Sequence, residues 1–104
     1  MLGMNKMMKQ VQKLQADMMR MQEELGERTV EATAGGGVVK VVADGKQEIR
    51  AVVISPEAVD PEDVEMLQDL VLAATNEALR LSREMVSTEM AKITGGINMP
   101  PGLF

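Results

Sequence analysis

Residues 29–54 read TVEATAGGGVVKVVADGKQEIRAVVI and alternate with a period of two, which is the period of a β-strand. The alternation predicts three strands, Thr29–Ala34, Val38–Ala43 and Glu48–Ile54. Three glycines turn the chain after the first strand, and Asp44-Gly45 after the second is a common two-residue hairpin turn. The segment therefore predicts a three-stranded antiparallel meander.

Two of these strands are apolar on both sides. The second strand alternates Val39 and Val41 with Val38 and Val42, and the third alternates Ile49, Ala51 and Val53 with Val52 and Ile54. An antiparallel sheet with one face in water carries apolar residues on the other face only. We therefore expect both faces of this sheet to be covered.

The segment before the sheet, Met4–Leu25, predicts a helix that ends at Gly26. Its apolar positions alternate spacings of three and four, as in a heptad seam: Met4, Met7, Val11, Leu14, Met18, Met21 and Leu25. We interpret the methionines as adaptable packing rather than as a ligand site. Four cations lie on the side away from this seam: Lys6, Lys9, Lys13 and Arg20. They are either a solvated face or a face that meets an anion.

The segment after the sheet predicts a second helix, from Pro61 to about Thr94, with Asp60 as N-cap. Helix initiation also accounts for the acidic run Asp60–Glu65, which we therefore do not interpret as a metal site. The helix has a seam of its own: Val64, Leu67, Val71, Ala74, Ala78, Leu81 and Met85. A second apolar stripe follows at sevenfold spacing: Leu72, Leu79, Val86 and Ile93.

The length of this second helix, about 50 Å, exceeds the diameter of a compact chain of this size. Part of it must project, and we expect it to pair with the first helix along the two seams, forming an arm. The second stripe and the second sheet face would then stay in water, which predicts a homodimer. The expected interface residues are Val39, Val41, Ile49, Val53, Leu72, Leu79 and Val86.

Composition limits the function of this chain of 104 residues, which we divide into one domain, 1–94, and a flexible tail, 95–104. It has no His, no Cys and a single aromatic residue, Phe104. These absences disfavour enzyme, metal and thiol chemistry, and also base stacking on aromatic platforms. We expect no catalysis, no cofactor and no small-molecule substrate. The longest apolar run has five residues, so we expect no membrane span and a cytoplasmic location.

Charge is unevenly distributed along the chain, whose net charge is −5. Residues 1–20 carry +3, whereas residues 57–90 carry −7. One end can therefore meet an anionic partner while the rest stays soluble. Two functions remain open on these grounds: a dimer that binds duplex DNA through its arms, and an acidic adaptor that binds a partner protein through its Met-rich helices. A membrane-surface role is disfavoured because the first helix lacks Trp and Phe.

Four segments carry a family resemblance: the first helix from Met7-Met8-Lys9-Gln10 to Met21-Gln22-Glu23-Glu24, the Gly-Gly-Gly-Val-Val-Lys-Val stretch at 35–41, the run MLQDLVLAATNEA at 66–78, and Met99-Pro100-Pro101-Gly102. With these segments in this order, the chain resembles the YbaB/EbfC family of nucleoid-associated DNA-binding proteins over essentially its whole length. The resemblance implies an α+β fold, with an α-β-β-β-α protomer in a tweezer-like homodimer. It also implies binding to double-stranded DNA in the bacterial nucleoid.

The cations then become candidate DNA contacts. We expect Lys6, Lys9, Lys13 and Arg20 to contact phosphates, with Arg80 and Arg83 as helpers. Phosphate contacts carry no sequence information, so little sequence preference is expected. Such a protein would alter or organise the conformation of DNA and could in this way affect gene expression.

Overall fold

The computed structural model describes residues 2–95, with side chains from Gly3 to Lys92. The elements are α1 (Leu2–Glu27), β1 (Thr29–Ala34), β2 (Val39–Asp44), β3 (Ile49–Ile54) and α2 (Val64–Gly95). Two short 3₁₀ turns, Gly35–Gly37 and Pro56–Ala58, follow β1 and β3. The predicted α-β-β-β-α order is confirmed. Apart from Gly95, the predicted tail 95–104 lies outside the described residues.

The three strands form one antiparallel sheet in the order β1-β2-β3. In its register Ala32 lies opposite Val41, and Val41 lies opposite Val52, so these three residues share a face. On this face α2 packs across β1 and β2. Ala74 and Ala78 of α2 lie in the core that this packing forms, and their small side chains let the helix approach the strands closely.

Val39 and Val41 of β2 are 0% exposed beneath α2. The expectation that they form a dimer interface is therefore wrong, because side chains with no free surface in the protomer have none to offer a partner. Periodicity showed that β2 has two apolar sides, but it could not show which side its own helix covers.

In contrast, α2 leaves β3 uncovered. Every residue of β3 is exposed, although five of the six are apolar. On the α2 side of the sheet, Ile49, Val52 and Ile54 are 40%, 47% and 38% exposed. These three residues form a strip that we call the β3 strip. It is the part of the α2 side of the sheet that still lacks cover.

The opposite face of the sheet is less apolar than expected. It carries Val42 and Val53, but β1 contributes polar side chains there, and Glu31 pairs with Lys40 at 3.9 Å. The half of this face formed by β1 and β2 is therefore mostly polar, whereas the second and third strands contribute the apolar Val42 and Val53 that the sequence predicts there. Ile49 also lies on the other face from the one predicted, because a bulge beside Val42 and Ala43 pairs it with Ala43.

The connection from β2 to β3 is longer than the predicted two-residue turn. It spans residues 45–48, with the Asp44 N–H donating to the Glu48 carbonyl at 2.9 Å. The positive φ belongs to Gln47, at +66°, and not to Gly45. The longer turn forms because the Asp44 carboxylate accepts the N–H groups of Lys46 at 2.8 Å and Glu48 at 3.0 Å.

Helix α2 begins later than predicted, at Val64. The predicted cap, Asp60, instead accepts the N–H of Glu62 at 2.9 Å in the preceding turn, and Asp63 caps the helix by accepting the N–H of Met66 at 3.3 Å. Across the described residues, no group of three acidic side chains is arranged to hold a metal ion.

Helix α1 projects from the rest of the molecule, which measures 75 × 25 × 16 Å overall. Its seam from Met4 to Met18 is 40–65% exposed, so the expected pairing with α2 along the two seams is absent within the described protomer. The first buried residues of α1 are Leu25 and Gly26, at its root. We call this projecting helix the arm. None of the helices in the described part of the chain is long and apolar enough to cross a membrane.

Candidate nucleic-acid interface

The outer half of the arm, residues 3–16, carries Lys6, Lys9 and Lys13 but no Asp or Glu. At 3.6 residues per turn the three lysines fall within about 60° of the helix circumference. All three are exposed, and in the described part of the chain their ammonium groups make no ion pair or hydrogen bond. We call these residues the basic strip. It presents three positive charges that residues 2–95 do not neutralise.

The inner half of the arm, residues 17–27, has the opposite charge. It contains Asp17, Glu23, Glu24 and Glu27 against one cation, Arg20. Arg20 lies on the same side as the basic strip but donates to Asp17 at 3.2 Å. The positive surface of the arm therefore ends before Arg20.

Arg80 lies on α2 and is held by two carboxylates. Its guanidinium is 2.6 Å from Glu77 and 2.7 Å from Glu84. The hydrogen bonds that Arg80 donates to Glu77 and the charges of both carboxylates hold the pKa of Arg80 above its ordinary value, and the same bonds lower the pKa of Glu77. A phosphate would have to compete with both carboxylates, which weakens the expectation that Arg80 helps to bind DNA.

Arg83 is exposed on α2, far along the chain from the basic strip. One of its guanidinium nitrogens donates to the side-chain oxygen of Gln47 at 3.5 Å, and within the described residues it has no acidic partner. Arg83 therefore keeps its charge free, but it lies beside the β2–β3 turn.

A polar network lies at the root of the arm and was not predicted from the sequence. Asp44 and Ser82 are both fully buried, and the Ser82 hydroxyl donates to the Asp44 carbonyl. The Asp44 carboxylate accepts from the Arg50 guanidinium at 2.6 Å. Burial alone would raise the pKa of Asp44, but the N–H groups of Glu48 and Lys46 and the Arg50 guanidinium together lower it. One signal in the sequence was Ser82, which interrupts the buried row that begins with Ala74 and Ala78.

An ion pair also joins the end of the arm to α2. Arg28 lies 3.4 Å from Glu89, which in turn accepts from Lys92 at 3.2 Å. The hydrogen bond from Lys92 lowers the pKa of Glu89 against the effect of burial, and Arg28 lowers it further. A cleft of about 280 Å³ lies here, between the last two turns of α1 and the end of α2. This ion pair and the polar network thus attach the arm to the body at its root.

The sequence matches known proteins along nearly its whole length. A model of the YbaB/EbfC DNA-binding family matches residues 1–97. A nucleoid-associated protein of Desulforamulus reducens is 73% identical over 102 residues, which is 98% of this chain and 96% of that protein. One from Pelotomaculum thermopropionicum is 65% identical with the same coverage, and one from Moorella thermoacetica is 71% identical over 94% of each chain.

One solved structure supports the fold. It is the crystal structure of an uncharacterized protein from Helicobacter pylori, with a TM-score of 0.64 and 19% identity. The match covers 80% of this chain and 96% of that one. At this identity the likeness concerns the architecture and not the function.

Proposed function

Because this chain belongs to the YbaB/EbfC DNA-binding family, we propose that it binds double-stranded DNA through the basic strip of its arm, as a homodimer of the bacterial nucleoid. The relatives carry the name nucleoid-associated protein, which supports this location. Two arms that hold one duplex would organise its conformation and in this way influence gene expression.

The observation that carries the proposal is that Lys6, Lys9 and Lys13 have no charge partner among the described residues. Cations on an exposed helix attract the phosphate backbone, and each phosphate contact releases condensed counterions. The acidic segment 57–90 repels DNA, so binding is directed to the arm. Lys6 and Lys13 lie about 10 Å apart along the helix axis, so the strip can meet several phosphates at once.

Little sequence preference is expected from this surface. Lysine ammonium groups meet phosphates as point charges, and such contacts position a protein without reading bases. The arm has no aromatic side chain that could stack on a base.

The β3 strip supports the homodimer. An edge strand with apolar side chains in water is a template for association, and Leu72 on α2 adds a further apolar side chain that is 60% exposed. Of the predicted interface, Ile49, Val53 and Leu72 are exposed and remain candidates, whereas Leu79 and Val86 are half-buried in the protomer. Val52 and Ile54 join the set.

The test replaces Lys6, Lys9 and Lys13 together with Gln. We expect weaker binding to every duplex tested, and a flatter dependence of log K on log salt, by about 0.9 for each phosphate that the variant no longer neutralises. The matched control combines Lys40→Gln with Thr33→Asp and Gln68→Glu, which gives the same net charge but leaves the basic strip and the contacts at the root of the arm intact. Equal binding by the two variants would show that the basic strip is only a solvated face.

A further inference from the structure

The hairpin turn that begins at Asp44 lies against the root of the arm. We propose that Asp44 and Gly45 are positioning residues, which set the direction in which α1 leaves the body and thereby place the basic strip on DNA. The second half of this inference, that the direction of the arm places the basic strip on DNA, rests on the proposed function. The first half, that Asp44 and Gly45 set the direction of α1, concerns the geometry of the arm alone.

The turn meets the arm backbone to backbone at Gly45. The Gly45 N–H donates to the Arg28 carbonyl at 3.1 Å. The α-carbon of Gly45 lies so close to the Leu25 carbonyl that a Cβ at position 45 would overlap its oxygen. Since the obstacle is backbone, the only ways to admit a Cβ are to move the turn or to tilt α1.

The turn itself is tied to α2. The buried Ser82 hydroxyl donates to the Asp44 carbonyl and accepts from the side-chain nitrogen of Gln47 at 2.7 Å. These bonds hold both ends of the turn on the helix that forms the core. We therefore expect a Cβ at position 45 to displace α1, which projects from the body, and to leave the turn in place.

The Asp44 carboxylate keeps the turn in its shape. One oxygen accepts the N–H groups of Lys46 at 2.8 Å and Glu48 at 3.0 Å, and the other accepts from Arg50 at 2.6 Å. These three bonds span the turn on both sides of Gly45. Loss of the carboxylate frees the segment against which Leu25 rests.

The arm amplifies a small change at its root. Gln12 lies about 21 Å along the helix from Gly26, so a tilt of about 12° moves it by about 4 Å. A displacement of that size exceeds the length of a hydrogen bond to a phosphate. The direction of α1 thus controls which phosphates the basic strip reaches.

Electron–electron distance measurements test the geometry directly. The chain has no cysteine, so spin labels at Gln12→Cys on the arm and Asn76→Cys on α2 are the only ones attached. Labelled chains are diluted into excess unlabelled chains so that distances within one protomer dominate. We expect Gly45→Ala to shift the mean distance by about 4 Å or to broaden the distribution comparably.

Gly26→Ala is the matched control. A Cβ at position 26 would come within 2.6 Å of the Cε and 3.0 Å of the Cγ of Lys46, an exposed and flexible side chain that can move aside without any shift of the backbone. We expect the wild-type distance distribution for this variant. A wild-type distribution for a folded Gly45→Ala variant would overturn the inference.

Two further variants keep the test decisive if Gly45→Ala does not fold. Ser82→Ala removes the bonds between turn and α2 without adding volume, and Asp44→Asn removes the charge that holds Arg50. Both are expected to broaden the distribution. Asp60→Asn, which changes an aspartate in a turn before α2, is expected to leave it unchanged. Narrow, wild-type distributions for Ser82→Ala and Asp44→Asn would overturn the inference.

Binding of a 40-base-pair duplex, followed by fluorescence anisotropy, tests the second half. If both arms must engage together, Gly45→Ala is expected to weaken binding by about tenfold or more, and Gly26→Ala to leave it unchanged. A Gly45→Ala variant whose arm moves but whose affinity is that of the wild type overturns the positioning role. If the wild type binds no duplex, the proposed function fails, while the distance measurements still decide the geometry of the arm.

Discussion

The Arg50 guanidinium lies 2.6 Å from the carboxylate of Asp44, a residue with no exposed surface. Arg50 itself is half exposed, so the pair joins the buried end of β2 to the solvent side of β3. A buried carboxylate has lost its hydration, so its charge is stable only while hydrogen bonds and a positive charge replace the water.

The first prediction concerns acid pH. The pKa of Asp44 in the folded protein lies below the ordinary value of a carboxyl group, so its contribution to stability is fully present above that ordinary value. It is lost as the pH falls through the lowered pKa. Thermal unfolding followed by circular dichroism between neutral pH and about pH 2 should show this loss. Asp44→Asn should be less stable at neutral pH and lose less on acidification, whereas Asp60→Asn should follow the wild type.

The second prediction concerns the core under α2. Ala78 is 0% exposed against the sheet, so Ala78→Leu should destabilise the protein by about 1–3 kcal/mol through overpacking. Ala73→Leu, one helix position away from the core and exposed, should change stability by less than about 0.5 kcal/mol. Urea unfolding of the two variants measures the difference. Similar stabilities would contradict the packing of Ala78 on the sheet.

A third prediction concerns the dimer. Sedimentation of the wild type should give a mass near twice 11.3 kDa. Val52→Asp places a charge in the β3 strip and should shift the protein toward the monomer mass, since an unpaired charge opposes burial in an interface. Thr33→Asp on the other edge strand, also exposed, should leave the dimer intact. A Val52→Asp variant that remains dimeric would move the interface away from the β3 strip.

The fourth prediction separates two cations of equal charge. Lys9→Gln should weaken DNA binding and reduce the salt slope by about 0.9, because Lys9 is free to meet a phosphate. Arg80→Gln should leave the slope unchanged, because Arg80 is occupied by Glu77 and Glu84. Titrations of one duplex at several salt concentrations measure both slopes. Equal reductions of the salt slope by the two variants would indicate that Arg80 also contacts a phosphate.

The order of the elements could be predicted because it follows from local periodicity. The change from spacings of three and four to a period of two is visible within residues 4–54. The form of the β2–β3 turn could not be predicted, because it depends on the Asp44 side chain and on Arg50, which is placed by the bulge. The interface assignment of Val39 and Val41 was wrong for a similar reason, because the side of β2 that α2 covers depends on tertiary packing and not on local sequence.

The candidate DNA-binding residues divide in the same way. The pairing of Arg80 could have been read from the sequence, since Glu77 and Glu84 stand three and four positions away on one helix. The contact of Arg83 with Gln47 joins residues 36 apart and leaves no local signal. Lys6 and Lys9 have no acid within four positions, which the sequence displays. Lys13 does have Asp17 four positions away, and the structure shows that Asp17 pairs with Arg20 instead.

The reversal of charge halfway along the arm has a consequence for how closely the protein can approach its ligand. The inner half of α1 spans about 16 Å between the basic strip and the root, and its carboxylates repel phosphate. Under the proposed function, a duplex bound at the strip would stand clear of the sheet by roughly that distance and would not slide down to the body. The protein would contact DNA only through the outer ends of its arms, and the sheet would remain in solvent at a fixed distance from the duplex.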